Sequence, residues 1–249
     1  MEEPAIFVMP DGRQIAHRFA AGCQPTLVFL PGYMSDMTGN KASAVFDWAQ
    51  ANRRACLLLD YSGCGASSGG FAQGTLDRWC EEVVALIDAH GVGPVVLVGS
   101  SMGGWIMLLV AMTLGERVAA VVGIAAAPDF TEWGFSDDGK AEIEASGRHV
   151  RPLSPSYEGE PLSTSRAFWR SGQANLLLGA PIALDCPVRL LHGQNDEDVP
   201  FSVSLRLAAA LRSADVQVTL IKDGDHRLSR DADIALLLRT VEAVVDATQ

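Results

Sequence analysis

Basic charge is scarce in this chain. Its 249 residues include 19 Lys or Arg against 30 Asp or Glu, a formal net charge of -11. No basic stripe exists to neutralise phosphates, so neither nucleic acid nor an anionic membrane surface is expected as a partner. Paired cysteine spacing is missing as well. Cys23, Cys56, Cys64, Cys80 and Cys186 are odd in number and scattered, with no C-x-x-C and no metal-ligand spacing, which reads as reduced, mostly buried thiols. Met1-Glu2-Glu3-Pro4 is acidic and lacks the basic n-region followed by an apolar stretch of a leader, so no signal or transit peptide is read and a cytoplasmic protein is expected. The turn glycines Gly63, Gly65, Gly69 and Gly70 lack the G-x-G-x-x-G spacing and a following phosphate-binding helix, and no cofactor or metal is expected.

One long uncharged run is present, from Gly91 to Gly115, long enough in principle to cross a bilayer. Pro94, the Ser100-Ser101 pair and several glycines break it into a β-branched stretch and then a helical one. A buried strand followed by a buried helix explains it, and no membrane span is expected.

Periodicity divides the rest into strand and helix units. Strands are expected at 5–9 and 14–19, flanking the hairpin turn Pro10-Asp11-Gly12-Arg13, then at 26–30, 56–59, 94–98, 119–124, 188–191 and 216–221. Helices are expected at about 41–52, 76–89 and 102–114 and at the carboxyl end, where Ile234, Leu237, Leu238, Val241, Val244 and Val245 recur at three- and four-residue steps. Alternating strands and helices imply a mostly parallel eight-stranded sheet with helices on both faces and an antiparallel hairpin at one edge. A chain of this length supports one large core, and a single domain over 1–249 is expected.

The stretch 131–180 departs from this alternation. It is rich in Ser, Gly, Glu and Pro, holds two short helical patterns at about 138–145 and 163–178, and has no buried strand. Phe130, Trp133, Phe135, Tyr157, Phe168 and Trp169 are too many aromatics for a solvated linker, so a short helical cap over the mouth of a site is expected.

The chemistry centres on Gly99-Ser100-Ser101-Met102-Gly103, which directly follows one strand and opens the next helix. A strand-to-helix turn of this kind exposes its middle serine in a strained conformation, which marks Ser101 as a nucleophile. A serine nucleophile needs a base, and the base an orienting carboxylate. In a parallel sheet the loops leaving the strands' carboxyl ends converge on one edge, so the partners belong just after other strands. His226 in Asp223-Gly224-Asp225-His226 is the base by this rule. His192 also follows a strand, but immediately before Gly193 it reads as a packing or hydrogen-bonding residue; His17, His90 and His149 are poorly placed. Asp196 ranks first for the acid, Asp129 second and Asp198 third. The oxyanion needs two backbone N–H donors, expected from Met102 at the helix start and from Tyr33 in Pro31-Gly32-Tyr33-Met34. Trp105, Trp133, Phe168 and Trp169 are candidate substrate-binding residues, with Trp105 equally readable as core. Met102, Met107 and Met112 read as core packing.

These residues resemble the α/β-hydrolase superfamily over nearly the whole chain, in the order Ser101, Asp196, His226 and in the turn Asp60-Tyr61-Ser62-Gly63-Cys64-Gly65-Ala66-Ser67. More narrowly, Leu30-Pro31-Gly32-Tyr33-Met34-Ser35, the elbow through Gly104-Trp105, Arg189-Leu190-Leu191-His192-Gly193 and Asp225-His226-Arg227 are similar to a mitochondrial subgroup of palmitoyl-protein thioesterases and acyl-glucuronide esterases. The resemblance implies a Ser101–His226–Asp196 triad acting on an ester or thioester acyl substrate, carried by a small molecule or a protein. A general carboxylesterase for short or xenobiotic esters is the alternative on the same fold; a third is a slow or inactive ligand-binding or interaction protein.

Overall fold

The computed structural model describes residues 3–91, 93–151 and 162–248. The chain begins with β1 (Ala5–Val8), β2 (Gln14–Ala20) and β3 (Cys23–Leu30), then α1 (Asn40–Ala51), β4 (Arg54–Leu59) and α2 (Leu76–Ala89). It continues through β5 (Val95–Ser100), α3 (Met102–Leu114) and β6 (Val118–Ile124). Next come α4 (Phe130–Trp133), α5 (Asp137–Ser146), β7 (Arg148–Arg151), β8 (Leu162–Ser165) and α6 (Arg166–Ala174). Last are β9 (Val188–Gly193), α7 (Ser202–Ala210), β10 (Val216–Ile221) and α8 (Asp231–Ala247).

Eight strands form one sheet in the order β1-β2-β4-β3-β5-β6-β9-β10. β2 is antiparallel to both β1 and β4, and every other neighbouring pair is parallel, as the alternating pattern predicts. The sheet is apolar on both faces. Val28, Leu30, Leu57, Leu59 and Leu97 pack with the buried sides of α2, α3 and α7, while Leu27, Phe29, Cys56, Leu58, Val96 and Val98 pack with α1 and α8. Each fully buried Leu or Val contributes about 1.5–3 kcal/mol relative to exposure, which makes this two-sided burial the main force holding the sheet. α2 shows how the pattern works locally: the Thr75 hydroxyl accepts from the Arg78 N–H at 3.2 Å, and Leu76, Trp79, Val83, Leu86 and Ile87 are buried at helical spacing. The uncharged run divides into β5 and α3, and no helix among the described residues is long and apolar enough to cross a membrane.

Register positions the site. Leu30 pairs with Gly99, Ser100 with Ile124, Ile124 with Leu191, and Gly193 with Ile221. Parallel strands in this register end at one level, so the loops carrying Tyr33, Ser101, Asp129, Asp196 and His226 all leave the same edge.

The insertion between β6 and β9 lies on the α2–α3 face, where Phe130, Phe135, Ile143 and Phe168 join the core. The expected helix at 138–145 is α5. The one expected at 163–178 is shorter: the Ser165 hydroxyl accepts from the Phe168 N–H at 3.1 Å and starts α6 at Arg166, and Ala174 ends it. Ahead of it, β7 and β8 form an antiparallel hairpin, Arg148 opposite Ser165. Arg148-His149-Val150-Arg151 has no apolar alternation to announce a strand. Tyr157, counted among the cap aromatics, lies outside the described residues.

Candidate active site

β5 passes into α3 through Ser101 alone, at φ 54° and ψ -119°. A non-glycine residue at positive φ costs on the order of 1–3 kcal/mol and persists only where its surroundings enforce it. Here the Ser101 N–H donates to the Ile124 carbonyl at 2.9 Å, and the Ala127 N–H donates to the Ser101 carbonyl at 3.0 Å. The flanking glycines are sterically required. A Cβ on Gly103 would stand 2.0 Å from the Leu30 carbonyl oxygen, and one on Gly99 2.4 Å from that of Gly103.

The His226 loop reaches this serine. His226 Nε2 lies 3.0 Å from Ser101 Oγ and Nδ1 lies 2.8 Å from Asp196 Oδ2. The ring is 12% exposed and the Asp196 side chain fully buried. Lys41 Nζ donates to the Arg227 carbonyl from below the loop, and the Asp225 carboxylate accepts the Leu228 N–H at 2.9 Å. Burial pushes the Lys41 amine down to about 8.

Asp196 is held from two sides. Oδ1 accepts from the Asp198 and Val199 N–H groups at 2.9 and 2.8 Å, while Oδ2 faces His226 and also His192 Nε2 at 3.1 Å. Burial alone raises a carboxyl pKa. Hydrogen bonds from His192 and His226, with the Val199 amide, outweigh it and hold this one well below the ordinary range. His192 is thus a buried hydrogen-bonding residue, and its contact with Asp196 is one that strand-end position alone does not reveal. Asp198 meets Asp196 through its backbone.

Tyr33 and Met102 border the serine. A Cβ on Gly32 would be 3.4 Å from Ser101 Cβ, so the 31–33 loop lies against the elbow. Neither the Tyr33 nor the Met102 backbone N–H makes a hydrogen bond among the described residues. The Tyr33 side chain points into the insertion: its hydroxyl donates to the Ser163 carbonyl at 2.9 Å, and its ring packs edge-on against Phe71, Phe130 and Phe168. Burial pushes this phenol up to about 12.

The candidate substrate residues divide into two pairs. Trp105 and Phe168 are fully buried, Trp105 donating from Nε1 to the Asn175 carbonyl at 3.1 Å and Phe168 stacking on Phe130. Trp133 and Trp169 are half-buried, their indole N–H groups on the carbonyls of Pro128 and Thr131. Asp129 does not approach His226. Its carboxylate accepts the Leu177 and Leu178 N–H groups at 2.7 Å each and ties the insertion's root to its return. Among the described residues, one group of His, Cys, Asp or Glu is close enough for a metal, Asp196 with Asp198 and His226. Two of its three members already bond each other, so an ion there would compete with that bond.

Sheet order, elbow and converging strand-end loops define an α/β hydrolase. A model of the α/β hydrolase fold family matches residues 25–143, and one of the prolyl oligopeptidase family matches 85–243. Among curated proteins, the mitochondrial palmitoyl-protein thioesterase ABHD10 of Homo sapiens is 38% identical over 240 residues, covering 95% of this chain and 78% of that one. Among solved structures, α/β hydrolase domain-containing protein 10 from mouse superposes with a TM-score of 0.91 at 36% identity over 100% of both chains. A structure from Agrobacterium vitis S4 gives 0.89 at 38% identity over 98% of each. The chain therefore belongs to the α/β-hydrolase family, on the branch of the ABHD10 thioesterases, and is a hydrolase of ester or thioester bonds.

These relatives correct one expectation. All five of the ABHD10 proteins matched are named mitochondrial, which overturns the cytoplasmic assignment. A compartment is set by a receptor-read address, and neither the sheet nor the composition carries that information.

Proposed function

We propose that Ser101, His226 and Asp196 act as nucleophile, base and orienting acid in a two-step acyl transfer to water. His226 Nε2 takes the hydroxyl proton as Ser101 Oγ attacks the carbonyl carbon, and Asp196 stabilises the imidazolium that forms. The tetrahedral oxyanion accepts the Tyr33 and Met102 N–H groups, the second at the positive end of α3; each such donor is worth about 100- to 1,000-fold in rate. Collapse breaks the bond to the leaving thiol or alcohol, which takes the proton from His226, and the acyl group remains on Ser101. Water then gives its proton to His226 as it attacks the acyl-enzyme, and the carboxylic acid leaves as the serine recovers its hydrogen. The observation that supports this most strongly is the unbroken line from Ser101 Oγ through His226 to Asp196, with spans of 3.0 and 2.8 Å.

For the substrate, the name of the human relative supports an acyl thioester with a long chain, on a protein or a small thiol. In this reading the insertion acts as a cap. Trp105 and Phe168 form the floor of the acyl site, and Trp133 and Trp169 its wall. A second reading, hydrolysis of short esters, draws support from the dense packing of Trp105 on Phe130 and of Phe130 on Phe168. The test is turnover of Ser101→Ala on p-nitrophenyl esters, then a panel of acetyl, butyryl, lauroyl and palmitoyl esters and thioesters with a prolyl peptide included. Loss of turnover in a folded Ser101→Ala variant is expected, with long thioesters preferred by the parent. Near-normal turnover by that variant rules the mechanism out, and preference for acetyl and butyryl esters moves the substrate to the second reading.

A further inference from the structure

His192 is the penultimate residue of β9, its ring is fully buried, and no step of the proposed reaction uses it. Nδ1 lies 2.7 Å from Ser204 Oγ, on α7. Nε2 lies 2.9 Å from the Val199 carbonyl oxygen and 3.1 Å from Asp196 Oδ2. A carbonyl and a carboxylate only accept, so Nε2 carries the hydrogen and Nδ1 accepts from the Ser204 hydroxyl. The two acceptors thus fix the hydrogen on Nε2, where it bonds the Val199 carbonyl and also lies toward the Asp196 carboxylate, while the Ser204 hydroxyl holds the other side of the ring. With this contact Asp196 meets two amides on Oδ1 and two imidazoles on Oδ2.

We propose that His192 is a positioning residue for the hydrolysis, pinning Asp196 Oδ2 where it meets His226. The proposal rests on the triad reading. With His192 gone, a fully buried carboxylate loses one of its four donors and gains freedom to rotate about its last torsion. The oxygen that orients His226 then wanders, and the base is presented to Ser101 in fewer productive geometries. Because the defect lies in alignment of the base, it acts on the chemical step and leaves substrate binding alone. Ser204 acts one step further out. Without its hydroxyl the buried Nδ1 lone pair loses its donor and the ring loses the contact that holds it to α7.

The test uses the full chain with His192→Leu, His192→Gln and Ser204→Ala, each first checked for a cooperative thermal transition. Outer partners that orient a functional ligand are typically worth about 10- to 100-fold. His192→Leu is expected to lose kcat in that range with KM within about twofold, the signature of an interaction made in the chemical step. Fluorophosphonate labelling of Ser101 should slow by the same factor. Gln presents an amide N–H near the position of Nε2, so His192→Gln should recover most of the loss, and Ser204→Ala should lower kcat severalfold at unchanged KM. A folded His192→Leu protein with parental kcat overturns the proposal. So does a Gln variant no better than Leu, or a loss appearing in KM. Should the Leu variant fail to fold, Ser204→Ala decides, and parental kcat there overturns it. Ser101→Ala in the same panel separates the two failures: if it still turns over, the triad reading falls, whereas an inactive Ser101→Ala beside an unaffected His192→Leu removes only the positioning role.

Discussion

Asp196 and Asp129 stand past the ends of adjacent strands, β9 and β6, and each accepts two consecutive backbone N–H groups. Burial pushes both carboxyls upward. At Asp129 burial prevails over the Leu177 and Leu178 amides, and the pKa stays raised. At Asp196 the two imidazoles reverse the outcome and hold the group well below the usual carboxylate range. Two acids of one type, at one edge of one sheet, thus differ through their neighbours. In the proposed reaction one orients the base, while the other ties the insertion's return segment to its root. Proximity to a strand end admits both; the imidazoles separate them.

Substitution of each by its amide should pull the two apart. Asp196→Asn offers His226 the wrong partner and is expected to lower kcat on the order of 10,000-fold with a small change in melting temperature, read by steady-state kinetics and calorimetry. Asp129→Asn turns a donor toward one of two backbone N–H groups, and an unmet buried donor costs about 1–3 kcal/mol. That cost should appear in denaturant unfolding, with kcat reduced far less than at Asp196. Equal losses of kcat at the two positions would break the distinction.

A smaller effect follows from protonation. A raised folded pKa means that the fold binds the Asp129 proton more tightly than the unfolded chain does. Its ionised form therefore costs stability above the folded pKa, and acidification toward the ordinary value of 3.8 relieves the cost. Asn does not titrate, so the parent should gain stability relative to Asp129→Asn as pH falls through that window. Asp196 has the opposite sign: its contribution is present above 3.8 and is lost as pH falls through its depressed folded pKa. Denaturant unfolding of the parent and both amide variants across this range measures the slopes, and parallel curves for the parent and Asp129→Asn would contradict the raised pKa.

The sheet and its elbow are legible in the sequence because their signals are local. A β-branched run ending in Gly-x-Ser-x-Gly before a helix has few other solutions, and parallel register then brings Ser101, Asp196 and His226 to one edge. Signals that depend on distant partners are not legible. Asp129 meets Leu177 and Leu178 only after the insertion has folded back, and His192 meets Asp196 only because Ser204 and Val199 fix its ring. β3 begins at Cys23, earlier than its apolar run, through an irregular register that leaves no periodic trace. The β7–β8 hairpin carries charged and polar residues where alternation was the expected sign. The insertion is the least legible part because aromatic packing tolerates many sequences, whereas a turn with positive φ and no room for a Cβ tolerates few.

Ser101 is the proposed reactive group at the end of the line from Asp196 through His226. Fluorophosphonate labelling followed by peptide mapping tests it directly. One modified residue is expected, Ser101, with labelling lost in Ser101→Ala and slowed in Asp196→Asn. Modification elsewhere, or undiminished labelling of Ser101→Ala, would contradict it.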